Sequence, residues 1–188
     1  MNNLKRYIES LTDLSEQGWE VLSYCLTERL FKKNEILLKE GEICNSIYFV
    51  SSGVCRSFYN QDGKEINTAF YFENEFTTNI KSLRASTRSE YIIKAHEKTR
   101  AVVIDKFKLL DAYKQSHQIE TFGRMVLELI VAKQEEHSGS FKLLTPMERF
   151  NALVSQHPDF LQRVSLTQTA SYLGISRETL SRFRAKKK

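Results

Sequence analysis

The N-terminal stretch of the chain spaces its apolar side chains as a helix does. Residues 4 to 30 repeat large aliphatic residues at helical spacing, with polar residues between them. The residues of this pattern are Leu4, Ile8, Leu11, Val21, Leu22, Leu26 and Leu30. The pattern predicts that the segment is helical.

At Phe31 the pattern changes to one that is typical of β-strands. Residues 35 to 76 are rich in Ile, Val, Phe and Tyr. Asp62-Gly63 lies between two such runs, and Gly63 tolerates the positive φ that a tight hairpin requires. A further strand pair is expected at residues 91 to 95 and 100 to 104. The middle of the chain is therefore predicted to be a block of short strands.

Helical spacing returns after the β-rich block. Asp105 is placed to cap a short helix that runs to Leu110. A longer helix follows, with no turn signal before Ser138-Gly139. Its apolar stripe consists of Ile119, Phe122, Val126, Leu129 and Ile130. Such a stripe either packs on its own domain or pairs with a second copy of the chain, and we expect pairing.

The last quarter of the chain predicts three helices with a sharp turn. Thr145, Pro146 and Glu148 form a complete helix start with a capping box. The caps of the second and third helices are predicted to be Ser165 and Ser176. Between these two helices, Gly174 and the apolar spacing around it are typical of a helix-turn-helix motif, because glycine permits the reversal.

The third helix, residues 176 to 186, is expected to turn a strongly polar side outward. Arg can donate to guanine O6 and N7 in parallel, and Glu can accept from cytosine N4. The outward residues are Arg177, Glu178, Ser181, Arg182 and Arg184, and Lys186 begins a run of lysines suited to phosphate contacts. We predict a recognition helix for the major groove of DNA. The plainer alternative is an ordinary helical hairpin with a solvated face.

The charge distribution favours an anionic partner for this end of the chain. The 188 residues carry a net charge of +5 at neutral pH. Residues 140 to 188 hold nine Lys or Arg and three Asp or Glu, whereas residues 1 to 139 hold nineteen and twenty. The positive excess therefore lies in the last quarter, which favours nucleic acid over a membrane surface. A solubilising basic tail would show the same excess.

Other classes of protein find little support in the sequence. No apolar run approaches the roughly 18 residues of a membrane span, and the N-terminus has no signal-peptide core, so we expect a cytoplasmic protein without membrane contact. Cys25, Cys44 and Cys55 form no CxxC pair, and we expect buried thiols rather than a metal site. The sequence shows no nucleophile–histidine arrangement, P-loop or HExxH motif, so we expect neither enzyme activity nor a cofactor.

The four histidines are expected at the surface, because each stands among polar residues. They are His96, His117, His137 and His157.

The sequence resembles the cyclic-AMP receptor protein/FNR (Crp/Fnr) family of bacterial transcription regulators over nearly its whole length. The stretch ASYLGISRETLSR, residues 170 to 182, is similar to the helix-turn-helix of that family. The stretch LLKEGEICNSIYFVSSGVCRSFYNQDGKE, residues 37 to 65, is similar to its effector domain, with glycines at 41, 53 and 63.

The resemblance implies an α+β chain in three parts. Residues 1–115 would form a cyclic-nucleotide-binding-like β-roll sensor domain, residues 116–139 a dimerisation helix, and residues 140–188 a helix-turn-helix DNA-binding domain. A homodimer on a roughly palindromic site in double-stranded DNA is implied, with RNA polymerase as a candidate partner. Arg177, Glu178 and Arg182 are the implied readers of base edges, while Ser165 and Ser176 would make phosphate or capping contacts.

The effector site departs from the pattern of family members that bind cyclic nucleotide. Those proteins use a Gly-Glu pair and an Arg-Ser pair, because the ribose needs a carboxylate and the phosphate a guanidinium. Here the first pair appears as Asn74-Glu75, and Arg88-Ser89 lies near the place of the second. Counting back from the strand at 91 to 95 places Ser89, not Arg88, at the phosphate position. Glu75, Arg88 and Ser89 are the candidates, with a solvated loop charge as the plainer interpretation of Arg88. We expect that cyclic AMP does not bind, and the effector stays unidentified.

A different class of function is kept as an alternative. A small-molecule sensor domain could signal to a protein partner through the basic C-terminal arm. That alternative predicts ligand-dependent binding to a protein and no retention of DNA at moderate salt.

Overall fold

Two short helices open the computed structural model, which describes residues 1 to 186. Helix α1 spans Asn2–Leu11 and α2 spans Glu16–Ser23. The predicted helical segment is wrong beyond residue 23, because β1 spans Leu26–Phe31. Leu26 pairs with Ile104 of another strand, so pairing that is distant in sequence overrides the local helical spacing. Residues 187 and 188, and the side chain of Lys186, lie outside the description.

Short strands make up the middle of the chain, as predicted. They are β1, β2 (Ile36–Leu38), β3 (Ser46–Ser52), β4 (Cys55–Gln61), β5 (Lys64–Tyr71), β6 (Phe76–Thr77), β7 (Ile92–Ala95) and β8 (Thr99–Asp105). One four-stranded sheet has the order β1-β8-β3-β6, and the other has the order β2-β7-β4-β5. The pairs between named strands are antiparallel. The two sheets form the predicted β-roll.

The hairpin prediction at Asp62-Gly63 is confirmed. Asp62 has φ 52° and Gly63 has φ 82°, and the two residues join β4 to β5. Positive φ at both central residues is the geometry of the tight turn that suits the twist of an antiparallel pair. The expected pairing of the strands near residues 91 to 104 is wrong: β7 pairs with β2 and β4, whereas β8 pairs with β1 and β3 in the other sheet.

Helix α5 is longer than the sequence predicted. The helices that lead to it are α3 (Ile80–Ala85) and α4 (Lys106–Gln115), and Asp105 caps α4 through the backbone N–H groups of Phe107 and Lys108. Helix α5 spans His117–Leu143, so it passes through Gly139 without a break. A single glycine lowers helix propensity by about 1 kcal/mol and does not end a helix of this length.

The apolar stripe of α5 packs inside its own protomer, which corrects the predicted pairing surface. Ile119, Phe122, Val126 and Ile130 are at most 5% exposed and join the core with Leu4, Ile8, Leu22 and Leu109. These four side chains are therefore not accessible for contact with a second chain. Of the predicted set, Leu129 alone is exposed, at 39%. Leu127 and Val131 lie on the exposed surface of the same helix.

Four helices complete the described chain. They are α6 (Pro146–Gln156), α7 (Phe160–Arg163), α8 (Leu166–Leu173) and α9 (Arg177–Lys186). The predicted capping box at the start of α6 is confirmed, with Thr145 and Glu148 bonded in both directions.

The C-terminal helices share a core with the β-roll. Val54, Phe70 and Phe72 of the β-roll are buried in one cluster with residues of the segment from α6 to α9, which we call the C-terminal unit. Those residues are Phe150, Leu153, Phe160, Val164, Ala170, Leu173 and Leu180. The two parts are thus packed against each other over an apolar surface.

Candidate nucleic-acid interface

Gly174 makes the turn between α8 and α9. Its φ is +66°, a left-handed conformation, and its N–H donates to the carbonyl oxygens of Ala170 and Ser171. The N–H of Ile175 also donates to the Ala170 carbonyl oxygen, at 3.0 Å. This pattern closes the end of α8 and reverses the chain within a few residues.

The close approach of α5 gives Gly174 a second role. A Cβ atom at this position would lie 2.9 Å from Cε1 of Phe141. The left-handed conformation therefore favours glycine at the turn, and a Cβ there would also have to displace the exposed ring of Phe141.

Helix α9 begins and packs as the sequence predicted. The Ser176 hydroxyl oxygen accepts from the N–H of Thr179 at 3.1 Å and caps the helix. Leu180 is fully buried, and the ring of Phe183 lies 5.9 Å from that of Phe150. One side of α9 is thereby anchored, which leaves the other side facing solvent.

The predicted DNA-contacting residues lie at the surface. Those described as exposed are Ser165, Ser176, Arg177, Glu178, Ser181, Arg182 and Arg184. Within residues 1 to 186, Arg177, Arg182 and Arg184 form no ion pair, and Arg182 donates to the Thr179 hydroxyl at 3.3 Å. Their charges are therefore available to an external anion. The side chain of Lys186 lies outside the described part of the chain.

Ser165 lies at the start of α8, where its hydroxyl accepts from the N–H of Gln168 at 3.3 Å. The predicted cap is confirmed. Its exposure also leaves the N-terminal end of this helix accessible, and such an end favours anions.

The three candidates for the effector site do not form one group. Glu75 accepts from Lys133 of α5 and from the N–H of Phe72, so it joins the sensor domain to α5. Arg88 is exposed. Ser89 is buried, donates to the Tyr91 carbonyl oxygen at 2.6 Å and accepts from the Asn79 side-chain amide at 2.8 Å.

Asn79 is a residue that the sequence analysis missed. It is 4% exposed and caps α3 by accepting from the N–H of Ser82. An Asn just before a short helix is the signal that would have identified it. Its side-chain amide donates a hydrogen bond to the Ser89 hydroxyl, so each of these buried polar groups has a partner.

A cavity lies between β4, β5, α5 and α8. The cavity has a volume of about 220 Å³. Its lining combines aromatic rings and hydroxyl groups with the amine of Lys133, which is already paired with Glu75. Glu75, Arg88 and Ser89 do not line this cavity.

Helix α8 is hydrogen-bonded to β5, an edge strand of the β-roll. The backbone N–H of Asn67 donates to the Ser171 hydroxyl at 3.0 Å, and that hydroxyl donates to the Glu65 carbonyl oxygen at 3.1 Å. The side chains of Asn67 and Glu65 are in turn held by Arg56, which is 3% exposed. The first helix of the helix-turn-helix is therefore hydrogen-bonded to β5.

The surface prediction for the histidines is wrong for His96, His137 and His157. His96 is 9% exposed, and its Nε2 donates to the Arg163 carbonyl oxygen at 2.9 Å. His157 stacks on Phe72 with ring centroids 4.3 Å apart. All three lie where the β-roll, α5 and the C-terminal helices meet, and burial lowers the pKa of each below the ordinary 6.5. His117 is exposed as expected.

Comparison with known proteins gives consistent results. Residues 28–116 match the family model described as a cyclic nucleotide-binding domain. The chain is 27% identical over 190 residues to the transcriptional activator protein FnrA of Stutzerimonas stutzeri, covering 93% of this chain and 72% of that protein. It is also 27% identical over 169 residues to the transcriptional activator protein Anr of Pseudomonas aeruginosa, covering 82% and 67%.

Solved structures show the same fold. FixK2 of Bradyrhizobium japonicum superposes with a TM-score of 0.71 at 22% identity, covering 86% of this chain and 83% of that chain. A regulator of the crp/fnr family from Eubacterium rectale superposes with a TM-score of 0.71 at 18% identity, covering 96% and 87%.

Proposed function

Because the chain belongs to the Crp/Fnr family of bacterial transcription regulators, we propose that it binds double-stranded DNA as a homodimer through α9. The observation that carries this proposal is the exposed face of α9, where Arg177, Arg182 and Arg184 form no ion pair within residues 1 to 186. Arginines on a helix that is anchored by its opposite side can reach base edges in the major groove.

Each predicted contact has a physical role. Arg177 and Arg182 donate to guanine, and Glu178 accepts from cytosine. Ser165, Ser176 and Ser181 bond phosphate or sugar oxygens, while Arg184 and Lys186 add charge for the backbone. The base contacts would set the sequence preference and the phosphate contacts would set much of the affinity.

A second copy supplies the second recognition helix. In a two-fold dimer the two copies of α9 would enter successive major grooves about 34 Å apart, which implies a roughly palindromic site. The exposed α5 surface offers Leu127 and Val131, one helical turn apart and 38% and 51% exposed. We propose this surface for the pairing of α5 with its twin, in place of the buried stripe.

The sensor domain responds to an effector other than cyclic AMP in this proposal. Support comes from the bonds that already satisfy Ser89 and from the pairing of Glu75 with Lys133. The small cavity bordered by Tyr71, Tyr91 and Lys133 is the candidate site, and its contact with α5 would couple a ligand to the dimer. RNA polymerase is the candidate partner on the promoter.

Retention and sequencing of genomic DNA fragments test the function directly. We expect the purified protein to retain a subset of fragments in a gel shift at moderate salt, and these fragments to share an inverted repeat. Retention should weaken as salt rises, because phosphate contacts release counterions. If no fragment is retained, and a ligand instead promotes binding to a protein, the alternative of a sensor with a protein partner is correct.

A further inference from the structure

Arg163 joins the C-terminal unit to the sensor domain through two carboxylates. Its Nη2 lies 2.8 Å from Oε1 of Glu73 and its Nη1 lies 3.0 Å from Oε2, so the contact is bidentate. The same Nη2 donates to Oε1 of Glu97 at 2.6 Å, and Nη1 donates to Asp159 at 3.0 Å. We call Arg163, Glu73 and Glu97 the clamp.

The groups of the clamp are held in place by their neighbours. The N–H of Gly53 donates to Oε1 of Glu73 at 2.8 Å, and His96 donates to the Arg163 carbonyl oxygen. The Arg163 guanidinium lies over the ring of Phe72, 5.3 Å from its centre. Burial raises the pKa of Glu73, but the hydrogen bonds from Arg163 and Gly53 outweigh it, so that pKa lies below the ordinary 4.5. The Arg163 side chain is 21% exposed, whereas those of Glu73 and Glu97 are 37% and 34% exposed, so solvent screens these ion pairs in part.

The clamp lies where it controls the direction of the C-terminal unit. Arg163 ends α7, two residues before Ser165, the cap of α8, so its contacts hold the helix that packs against α9. The covalent link between α5 and α6 consists of Leu144 and Thr145 alone. A link this short fixes the position of the C-terminal unit. The rotation of the unit about the link is then determined by its contacts with the β-roll.

We propose that Arg163 is a positioning residue that sets the distance and angle between the two recognition helices of the dimer, and thereby selects the spacing of the DNA half-sites. This inference rests on the proposed function. One added base pair moves the second half-site by about 3.4 Å and turns it by about 35°, since one turn of B-DNA takes about 10 base pairs and 34 Å. With the clamp intact, the two recognition helices cannot adjust to the shifted and rotated half-site. Without the clamp, they can.

Duplexes that differ only in spacer length test the proposal. Two half-sites taken from the retained genomic fragments are separated by the natural spacer, or by one or two base pairs more or less. A duplex with a single half-site is measured in parallel. The wild type should prefer one spacer by about tenfold or more, which corresponds to about 1.4 kcal/mol.

Arg163→Gln should lower that preference to about threefold or less, or about 0.7 kcal/mol, and leave single half-site affinity nearly unchanged. Arg163→Lys keeps the charge without the bidentate geometry, so its spacer preference should lie between those of the wild type and Arg163→Gln. Arg100→Gln is the matched control, because Arg100 pairs with Glu28 within the sensor domain. It should keep the wild-type preference.

The clamp can also be opened from the sensor side, should Arg163→Gln fail to fold. The double variant Glu73→Gln/Glu97→Gln should lose spacer preference to the same degree, and adding Arg163→Gln to it should change little more. The inference is overturned if either variant, Arg163→Gln or Glu73→Gln/Glu97→Gln, folds, still binds a single half-site and keeps the spacer preference of the wild type. If the wild type binds no half-site at all, the proposed function fails first and this inference falls with it.

Discussion

The imidazole of His137 stacks on the phenol ring of Tyr172, with ring centroids 4.8 Å apart and planes 12° from parallel. His137 belongs to α5 and Tyr172 to α8, so the stack connects the long helix to the first helix of the helix-turn-helix. The ring of Phe141, one turn further along α5, lies 5.0 Å from His137 and approaches Gly174. A continuous row of side chains thus runs from α5 to the turn that positions α9.

Acid should weaken this connection. Burial, and then the nearby charges of Lys133 and Arg149, lower the pKa of His137 below 6.5. Above 6.5 the imidazole is neutral in both the folded and the unfolded chain. Below 6.5 the unfolded chain takes up the proton first, so the free energy of unfolding falls as pH drops toward the folded pKa. We expect a lower urea midpoint at pH 5.5 than at pH 7.5.

Two variants test the share of His137 in this loss, because the pKa values of His96 and His157 are lowered as well. His137→Phe retains a ring to stack on Tyr172 but removes the titration, so it should reduce the loss between pH 7.5 and 5.5. His117→Phe replaces an exposed histidine on the same helix and is the matched control. The lowered pKa of Glu73 acts in a separate window, below 4.5. An unchanged loss in His137→Phe would contradict the assignment.

Gly174→Ala should destabilise the protein. The left-handed φ of +66° costs a residue with a Cβ about 1–2 kcal/mol, and the new atom would press on Phe141 at 2.9 Å. Gly139→Ala is the matched change, because a Cβ there meets nothing within 4 Å and α5 is helical at that point. It should stabilise by roughly 0.5–1 kcal/mol. Equal shifts of the two urea midpoints would disprove this account of the turn.

Arg182→Ala should reduce DNA affinity in a sequence-dependent way. Loss of a bidentate base contact costs about 1–3 kcal/mol on the preferred site and less on random DNA. Fluorescence anisotropy on both duplexes measures the difference. Arg84→Ala removes the same charge from an exposed position in the sensor domain and should leave both affinities nearly unchanged. A uniform loss on both duplexes would instead assign Arg182 to the phosphate backbone.

Aspartates on the exposed face of α5 should separate the dimer. The pair Leu127→Asp/Val131→Asp would place unpaired carboxylates at the proposed contact, at a cost of about 3 kcal/mol or roughly a hundredfold in the dissociation constant. Sedimentation measures this constant. Leu110→Asp, at a similarly exposed apolar position on α4, is the control and should leave the dimer intact. Unchanged association in the double variant would show that the dimer forms elsewhere.

Calorimetry with cyclic AMP should give no binding heat. The hydroxyl of Ser89 is already bonded to Asn79 and Tyr91, and the exposed Arg88 lies outside the group around it. A micromolar or tighter dissociation constant that disappears in Arg88→Ala would reverse this conclusion and assign Arg88 to the phosphate.

The elements of the DNA-binding unit could be predicted because their signals are local. The capping box of Thr145 and Glu148, the cap Ser176 and the turn at Gly174 each depend on residues within a few positions of one another. Hydrogen bonds and backbone conformation at helix ends are settled over that range. The same locality made the hairpin at Asp62-Gly63 predictable.

The faces and partners of those elements could not be predicted in the same way. The periodicity of α5 identified an apolar stripe, but burial by α1, α2 and α4 decides that Phe122 and Val126 face their own core. The spacing of Leu26 and Leu30 predicted a helix, but these residues form strand β1, which pairs with β8. In both cases the deciding contacts come from elsewhere in the chain.

The sequence by itself determined which segments form helices at the C-terminal end, which arginines share a face there, and where the positive charge collects. The tertiary structure alone decided that Arg163 meets Glu73 and Glu97, which lie 90 and 66 positions away in the chain, and that His137 stacks on Tyr172. The physical reason is the distance along the chain between the residues that interact. Caps and turns are fixed by neighbours in sequence, whereas an ion pair between domains exists only after two separate units have packed together.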